Sequence, residues 1–263
     1  MNKLCIIAKN KKTYFINRLI EEVGNNIAVF DPWSDIDFPQ AEKYIVRTTG
    51  VYHSDLDLML LKALPENKIY NSLESLKRFR SKNHQYAWFE SVNLPTLPWI
   101  SLKESDLVTL EKFSVLYPEM VVKPHVGQGG WGIEVLKRED LRRWFKKTDK
   151  DYLLQPFIKD AIELRYFFIK GSEPIILKRT SKSGVAANFQ KEGSAEVSQL
   201  PEEFQEDIDR LITLSGAHYG AIDLFIDHGR MYFLELNTVP GIEQLEKVSQ
   251  TNIMKTLLSS LIK

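Results

Sequence analysis

The sequence predicts a mixed α/β (α+β) protein made of three successive regions. Residues 1–80 alternate apolar strand patterns with a helical pattern, which is typical of a small Rossmann-like domain. Residues 81–154 hold a glycine-rich loop between two strand patterns, and residues 155–263 hold two antiparallel hairpin patterns. These three regions are the expected domains. A chain of 263 residues is long enough to form more than one core.

The first region opens with a strand, a helix and a second strand. Residues 4–8 and 27–30 are apolar strand patterns. Between them, Gly24 is expected to end a helix whose apolar residues recur at helical spacing: Phe15, Ile16, Leu19, Ile20 and Val23. A strand over 44–46, another helix and a strand near Ile69 follow; that helix is predicted from Leu56, Leu60, Leu61 and Leu64. No Gly-x-Gly-x-x-Gly follows the first strand, so a structural or substrate-shaping domain is favoured over dinucleotide binding.

A glycine-rich loop dominates the second region, downstream of a polar helix start at residues 81–85. Its glycines free the backbone to approach a ligand, and consecutive amides in such a loop can bind phosphate oxygens. Lys123, at the end of the entering strand, is placed to add a positive charge. The alternative is a mobile turn, with Trp131 as either a lid residue or a packing anchor. The glycines are Gly127, Gly129, Gly130 and Gly132.

A basic cluster follows this loop on a predicted helix. Acidic neighbours dilute its field, so we interpret it as a solvated helical face rather than a site for a polyanion. Its members are Arg138, Arg142, Arg143, Lys146 and Lys147.

The third region is rich in strands. Residues 163–169 and 174–179 form a hairpin pattern with a turn between them. Three cations on these strands are candidates to face one anionic pocket: Arg165, Lys178 and Arg179. A helix is predicted next, because apolar residues recur at helical spacing before Gly216.

The most informative segment is a second hairpin pattern at residues 221–237. Side chains alternate along a strand, so Glu235 and Asn237 share a face, and a turn centred on Gly229 places Asp223 across from Glu235. Facing carboxylates repel each other unless a cation or a proton lies between them. Three oxygen donors therefore predict a site for Mg²⁺ or Mn²⁺. The alternative is a solvated acidic pair that binds no metal.

Charge and cysteine content exclude several functional classes. The 35 basic residues balance the 35 acidic ones, so no global field attracts nucleic acid or a membrane surface. A single cysteine, Cys5, cannot form an internal disulfide, and it fits a reducing, cytoplasmic location. No apolar run is long enough to span a bilayer. No histidine pair has the spacing of a metal motif, no serine-hydrolase motif occurs, and the sequence does not indicate an oligomeric state.

Several segments, taken in order, resemble the RimK type of ATP-grasp ligases over roughly residues 80–255. The last of them is the most specific, because its Glu-x-Asn-x-x-Pro-Gly pattern and the upstream Asp223 match the magnesium-binding strands of that family. The resemblance implies an ATP-grasp fold preceded by the small Rossmann-like domain. The matching segments are Val121-Val-Lys-Pro, Gly130-Trp-Gly, Leu154-Gln-Pro-Phe-Ile, Glu163-Leu-Arg, Ala221-Ile-Asp-Leu and Leu234-Glu-Leu-Asn-Thr-Val-Pro-Gly-Ile-Glu.

The resemblance implies nucleotide-binding roles for the matching positions. Lys82 and Lys123 would contact the ATP phosphates beneath the glycine-rich loop, and Glu163 would hold the ribose hydroxyls. Asn188 and Leu234 would also contact the nucleotide. The loop residues are Gly129, Gly130, Trp131 and Gly132, and the hinge whose backbone binds adenine is Gln155, Pro156, Phe157 and Ile158.

The resemblance also implies the chemical roles. Asp223, Glu235 and Asn237 would coordinate two magnesium ions. Arg179 would stabilise charge on the phosphoryl group in transit, and Lys178 and Arg165 are further catalytic candidates. Such enzymes transfer the γ-phosphoryl group of ATP to a carboxylate, and an amine then attacks the acyl phosphate to form an amide.

The predicted function is therefore an ATP- and magnesium-dependent, ADP-forming ligase that joins a carboxylate to an amine, for example an amino acid to a peptide or protein. An ATP-grasp kinase acting on a hydroxyl and a non-catalytic nucleotide-binding module are the alternatives. Two departures from the family pattern bear on substrates. Pro156 replaces an acidic hinge residue, which predicts fewer adenine contacts, and Ala186 replaces an arginine, so an acidic substrate is not implied.

Overall fold

The computed structural model describes residues 2–24, 26–48, 59, 62–103, 105–127, 130, 132–148, 151–181 and 193–261. Within these ranges the strands form three sheets, and helices pack against them. The predicted mixed α/β class is thereby confirmed. In the same ranges, every helix is too short or too polar to cross a membrane.

The first sheet is parallel and contains the predicted strand–helix–strand unit. Helix α1 (Tyr14–Val23) begins where the Thr13 hydroxyl accepts a hydrogen bond from the Ile16 amide, and it ends at Gly24. The predicted helix at Leu56, Leu60, Leu61 and Leu64 lies largely outside the described residues. The strands are β1 (Asn2–Ile7), β2 (Ile27–Phe30), β3 (Ala41–Val46) and β4 (Ile69–Tyr70), in the order β2-β1-β3-β4, with a 3₁₀ turn (Glu66–Lys68) before β4.

Two helices, α2 (Leu73–Arg78) and α3 (Lys82–Ser91), lead to a second, antiparallel sheet. Its strands are β5 (Ile100–Ser101), β6 (Glu119–Pro124), β7 (Glu134–Lys137) and β8 (Tyr152–Pro156), in the order β5-β8-β6-β7. Helices α4 (Leu107–Leu116) and α5 (Leu141–Phe145), the latter after a 3₁₀ turn (Arg138–Asp140), cover one face.

Side-chain alternation determines what each face of the second sheet presents. Val122 and Leu154 point into the core beneath α4 and α5. Their neighbours Lys123 and Gln155 therefore lie on the opposite face. The basic cluster lies on the outer side of this unit, where Arg142 and Arg143 pair with acidic residues while 72% and 73% exposed, as expected of a solvated face.

The third sheet is antiparallel and carries both predicted hairpins. Helix α6 (Gln205–Ser215) packs on one of its faces together with α3, and helices α7 (Glu243–Ser249) and α8 (Ile253–Leu261) end the chain's described part. A 3₁₀ turn (Glu202–Phe204) precedes α6. The strands are β9 (Ile162–Ile169), β10 (Ile175–Ser181), β11 (Gly193–Val197), β12 (Tyr219–Asp227) and β13 (Arg230–Asn237), in the order β11-β10-β9-β12-β13.

The first sheet is fixed against one end of the β12–β13 hairpin by Asn71, which is fully buried. The Asn71 side-chain amide donates to the carbonyls of Tyr219 and Thr238 at 2.8 Å each. Its oxygen accepts from the amides of His218 and Tyr219 at 2.6 and 3.1 Å. Because Tyr219 begins β12 and Thr238 follows β13, one side chain holds both strands at the open end of the hairpin.

The predicted domain boundaries remain predictions. The boundary between residues 154 and 155 falls inside β8, which runs from Tyr152 to Pro156. Helix α3 begins just after the boundary at residue 80 but shares a core with the third sheet through Tyr86 and Phe89.

Candidate active site

The β12–β13 hairpin has the register predicted for it. Its two-residue turn consists of His228 and Gly229, whose φ angles of 46° and 72° are both positive, as a type I′ turn requires. Asp223 pairs with Glu235 across the strands, and Asn237 pairs with Ala221. A bulge follows at Leu234, between the pairs formed by residues 223 and 224. The prediction that Asp223 faces Glu235 is confirmed.

Asp223 is bound by a guanidinium from the neighbouring strand. Arg165 lies opposite Asp223 in the β9–β12 register, and its Nε and Nη2 donate to Oδ1 and Oδ2 at 2.7 Å each. Burial alone would raise the pKa of Asp223, but the positive charges of Arg165 and Arg179 outweigh it and lower the pKa to about 2. The carboxylate is therefore charged at every physiological pH.

A second guanidinium–carboxylate pair adjoins the first on the same face. Arg179 of β10 donates from Nη2 to Oε1 of Glu163, its direct neighbour in β9. The same Nη2 lies 3.7 Å from Oδ2 of Asp223, so the two pairs are continuous. Among the described residues, the buried Arg179 Nε has no hydrogen-bond partner, and it remains available to a ligand.

Lys178 does not belong to this group, and the expectation that it shares a pocket with Arg165 and Arg179 is wrong. Adjacent residues of a strand point to opposite faces, and Lys178 precedes Arg179 directly in β10. Its ammonium group lies 3.6 Å from Glu196 of β11, and its side chain is 44% exposed. Lys178 therefore extends into solvent on the other side of the sheet.

The second sheet supplies a lysine to the cleft, which is the space beside Asp223 and Glu235. Lys123 of β6 donates from Nζ to Oε1 of Gln155 in β8 at 2.7 Å. Burial and repulsion from Lys82 lower the pKa of Lys123 to about 8, although Glu235 and Asp223 oppose this shift. Because the charges of Glu235 and Asp223 act on its ammonium group, Lys123 lies within electrostatic reach of the acidic pair. Gln155 is fully buried, and its Nε2 has no partner among the described residues.

Helix α3 holds β13 through one face of its first turns. Lys82 Nζ lies 3.6 Å from Oε2 of Glu235. Gln85 accepts a hydrogen bond from the Leu236 amide at 2.9 Å, and the Tyr86 hydroxyl donates to the Leu234 carbonyl at 2.7 Å. These three helical residues are three and four positions apart, so they share a face and contact three consecutive residues of β13.

Sequence reasoning identified Lys82 but missed Gln85 and Tyr86. Their spacing from Lys82 was a usable signal, because residues at i+3 and i+4 face the same way on a helix. The spacing does not show which strand that face contacts. Both side chains are nearly fully buried, at 1% and 0% exposure, and they position the backbone of β13 rather than enter the cleft.

The glycine-rich loop joins β6 to β7 as predicted. Its Gly127 carbonyl lies 3.5 Å from Lys82 Nζ, which ties the loop to α3. Gly132 has a φ of 73° and lies so close to Pro124 that an added Cβ would meet the ring at 3.3 Å, so a larger residue would be strained there. Gly130 has a φ of 75°, a backbone conformation that also favours glycine. The candidates Gly129, Trp131 and Asn188 lie outside the described residues.

The hinge after β8 offers few backbone amides. Pro156 has no amide hydrogen, and the Phe157 amide donates to the Glu119 carbonyl at 3.0 Å. The Ile158 amide makes no hydrogen bond within the described residues, so it is available to a ligand. A cavity of about 470 Å³ adjoins the hinge; its lining includes Leu97, Tyr117, Pro156, Phe157, Ile158 and Tyr232.

The donor set of the hairpin fits a hard cation such as Mg²⁺. Asp223, Glu235 and Asn237 offer only oxygen, the element that Mg²⁺ prefers. Arg165 uses two of the roughly four lone pairs of the Asp223 carboxylate, and the Asn237 oxygen accepts one bond, from the Val239 amide at 2.9 Å. Lone pairs therefore remain on each group. Within the described ranges no cluster of three His, Cys, Asp or Glu residues forms.

The chain resembles known proteins in sequence and in fold. The RimK-like ATP-grasp domain matches residues 79–261. A D-alanine–D-alanine ligase of Clostridium botulinum is 28% identical over 166 residues, which cover 58% of this chain and 55% of that ligase. The chain thus spans about half the length of that relative. A probable alpha-L-glutamate ligase of Xylella fastidiosa is 25% identical over 280 residues, which cover 95% of this chain and 92% of that protein.

A solved structure of similar fold is that of the ATP-grasp ligase PsnB complexed with a phosphomimetic variant of its minimal precursor, Mg and ADP. It superposes with a TM-score of 0.76 at 16% sequence identity, and the match covers 100% of this chain and 98% of that chain.

Proposed function

The chain belongs to the RimK-like ATP-grasp family, and from this premise we propose that it is an ADP-forming ligase that joins a carboxylate to an amine with ATP. The family match covers 79–261, which confirms the resemblance seen in the sequence, and the structural likeness to PsnB confirms the ATP-grasp fold. The ligase class agrees with the names of its relatives, a D-alanine–D-alanine ligase and a probable alpha-L-glutamate ligase.

One observation carries the proposal: an acidic pair on a hairpin faces four cations from four different elements. The pair is Asp223 and Glu235. Nucleotide phosphates and a metal need such alternating charges, because the carboxylates hold the metal while the cations bind phosphate oxygens directly. The cations are Lys82 of α3, Lys123 of β6, and Arg165 and Arg179 of the third sheet.

The proposed reaction explains why the site has these residue types. A carboxylate is a poor electrophile, so one of its oxygens attacks the γ-phosphorus of ATP, and ADP leaves. The resulting acyl phosphate is attacked by a neutral amine, and phosphate departs with that carboxylate oxygen. Both steps need charge neutralisation and alignment rather than a protein nucleophile. The absence of a catalytic histidine or serine motif in the sequence is consistent with this reaction.

The residues take the following proposed roles. Lys123 and Lys82 bind the phosphates from two sides, and Arg179 stabilises the charge on the transferred group. Glu163 binds the ribose once Arg179 turns to the phosphate. Asp223, Glu235 and Asn237 would hold Mg²⁺, which would neutralise the phosphate oxygens and align them. Mn²⁺ has the same ligand preference and is the second proposed metal.

Adenine would bind at the hinge, which in this chain has an altered hydrogen-bonding capacity. Two donors remain at the hinge, the backbone amide of Ile158 and the side-chain Nε2 of Gln155. Leu234, at the bulge of β13, would pack against the base. The missing amide of Pro156 and the engaged amide of Phe157 restrict recognition to these few contacts, so moderate nucleotide affinity is expected.

The proposed substrates are an amino acid and a peptide or protein. The names of the relatives contain amino acids, and PsnB was also solved with a precursor peptide. A reducing cytoplasm, expected from the single Cys5, is the proposed location.

Product analysis tests the proposal. The protein is incubated with ATP, Mg²⁺ and pools of amino acids and peptides, and ADP and product masses are measured. A ligase forms one ADP per amide, and an ¹⁸O label in the substrate carboxylate appears in the released phosphate. A product that gains a phosphoryl group would identify a kinase instead. ATP binding without ADP release in every pool would contradict catalysis.

A further inference from the structure

Arg47 lies at the carboxyl end of the first sheet, directly after β3, and the described residues around it use little of its hydrogen-bonding capacity. A guanidinium group has five N–H donors. Nη1 donates to the Pro240 carbonyl at 3.0 Å. Among the described residues no carboxylate pairs with this guanidinium, and the one titratable group that influences it is Tyr219.

The guanidinium is nevertheless held in a defined position. Its central carbon lies 4.0 Å above the centroid of the Phe15 ring in α1, a cation–π contact. The Arg47 amide donates to the Ile7 carbonyl at 2.7 Å, which continues the parallel pairing of β1 and β3. Burial lowers the pKa of Arg47, but an arginine stays charged in proteins. Within the described part of the chain this partly buried charge has no counter-ion, which costs free energy that an anionic ligand would offset.

A second polar group beside Arg47 has unused hydrogen-bonding capacity. The Tyr219 side chain is 1% exposed, and its hydroxyl has no hydrogen-bond partner of good geometry among the described residues. Burial raises the pKa of Tyr219, and the charge of Arg47, which is within hydrogen-bonding reach of the hydroxyl, opposes that rise. The Tyr219 hydroxyl is thus placed to fix the orientation of the guanidinium.

The position of Arg47 relative to the cleft indicates what it binds. Ligands of parallel α/β sheets bind at the carboxyl ends of the strands, which is where Arg47 lies. Its acceptor Pro240 is three residues beyond Asn237, so the guanidinium is next to the loop that leaves the proposed metal hairpin. A group bound there would lie between the first sheet and the reacting phosphate.

We propose that Arg47 binds a free, unreacted carboxylate of the substrate, namely the α-carboxylate of an amino acid or the terminal carboxylate of a peptide, with Tyr219 as a positioning residue. The identity of this ligand rests on the proposed ligase function. An amino acid that supplies the amine also carries a carboxylate, which would add negative charge beside the phosphates. Pairing it with a guanidinium neutralises that charge, and bidentate contact orients the adjacent amine.

A binding experiment without nucleotide tests the inference separately from catalysis. The probes are the twenty common L-amino acids, D-alanine and the dipeptide alanylalanine, each compared with its C-terminal amide by thermal shift and by calorimetric titration. We expect at least one acid to bind the wild-type protein about tenfold or more tightly than its amide, because the amide lacks the charge that Arg47 recognises. The inference is wrong if no acid binds, or if acids and amides bind equally.

Variants separate recognition from a structural role. Arg47→Gln should abolish the preference for the acid, while Arg47→Lys should keep part of it, since a lysine retains the charge but not the planar fork. The matched control is Arg210→Gln, because Arg210 also donates to backbone carbonyls, of Val92 and Asn93, but lies on α6. Equal loss of acid and amide binding in Arg47→Gln would indicate that Arg47 only supports the Pro240 loop.

Tyr219→Phe gives an independent readout. It keeps the ring and removes a buried hydroxyl whose contact with Arg47 is poorly oriented, so the melting temperature should change little. Acid binding should weaken several-fold in this variant, because the guanidinium loses its orienting neighbour. Unchanged acid affinity would remove Tyr219 from the proposal. If the protein bound acids through Arg47 but released no ADP, the ligase function would be refuted, whereas the carboxylate-binding role of Arg47 would still hold.

Discussion

The Tyr86 hydroxyl lies between two acceptors, 2.7 Å from the Leu234 carbonyl and 3.0 Å from Oε1 of Gln155. A tyrosine hydroxyl has one proton to donate, so the two acceptors share it. Gln155 also accepts from Lys123 at 2.7 Å. The bulge of β13 is therefore connected through two buried side chains to the lysine of the second sheet, and a displacement of either sheet must alter this shared bond.

Tyr86→Phe tests that connection. The change leaves the ring in place but deprives the partly buried Leu234 carbonyl of its donor, so we expect a loss of about 1–2 kcal/mol in the free energy of unfolding. ATP affinity should fall as well, because Leu234 and Lys123 lose their common restraint. Urea unfolding and ATP titration measure the two effects. Tyr152→Phe is the control, since no hydrogen bond from the Tyr152 hydroxyl occurs among the described residues, and a similar loss there would argue against the connection.

Glu235→Gln tests the proposed role of Glu235 in binding Mg²⁺. The substitution keeps the shape of the side chain and removes one charge that would hold Mg²⁺, so ADP formation should fall by about a hundredfold or more. Folding should be retained, because the Glu235 side chain is 30% exposed and its contact with Lys82 is long, at 3.6 Å. Circular dichroism and ADP release measure both. Glu243→Gln, which removes a surface charge paired with Lys247, is the control. Unchanged turnover in Glu235→Gln would refute the metal role.

Lys178 and Arg179 are adjacent in sequence but should differ sharply in function. Arg179→Ala should reduce ADP formation by about a hundredfold, because its guanidinium lies in the cleft next to Asp223. Lys178→Ala should change it by less than about twofold, because an exposed ion pair with Glu196 contributes little. The steady-state rate of ADP release is measured for both variants and compared with that of the wild type. Equal losses would contradict the different roles assigned to Lys178 and Arg179.

Local rules were sufficient to predict the β12–β13 hairpin. Strand alternation and a turn at Gly229 fix which side chains face each other, and the pair Asp223 and Glu235 follows from them. The same alternation rule separates Lys178 from Arg179, and applying it to β10 would have prevented that error.

Contacts between distant segments were not predictable in this way. Arg165 and Asp223 are 58 residues apart, and their ion pair requires β9 to lie beside β12, which no local pattern specifies. The contacts of Gln85 and Tyr86 with β13 likewise depend on how α3 packs on the third sheet. Sequence periodicity shows that a helical face is buried, whereas its partner is decided by packing of the whole chain.

The pKa of Lys123 predicts a pH dependence of nucleotide binding. Its value of about 8 means that the lysine loses its charge as pH rises through that range, whereas ATP binds best to the charged form. ATP affinity should therefore fall by up to about tenfold per pH unit above that value. Calorimetric titrations at fixed free Mg²⁺, from about pH 6 to about pH 9.5, measure the slope. In Lys123→Arg, which keeps its charge, the slope should disappear; an identical slope would assign it to another group.

The lowered pKa of Asp223 predicts how the free energy of unfolding depends on pH. Its folded-state pKa of about 2 lies below the ordinary value of 3.8, so its stabilising contribution is present above the ordinary value and is lost as pH falls through the folded value. The full contribution is about 2 kcal/mol, of which about 1 kcal/mol should be lost between about pH 5 and about pH 3. Urea unfolding over this range should show that Asp223→Asn lacks this slope. Asp160→Asn, at an exposed position, controls for a lost surface charge. If wild type and Asp223→Asn lost stability in parallel, the ion pair with Arg165 would not be responsible.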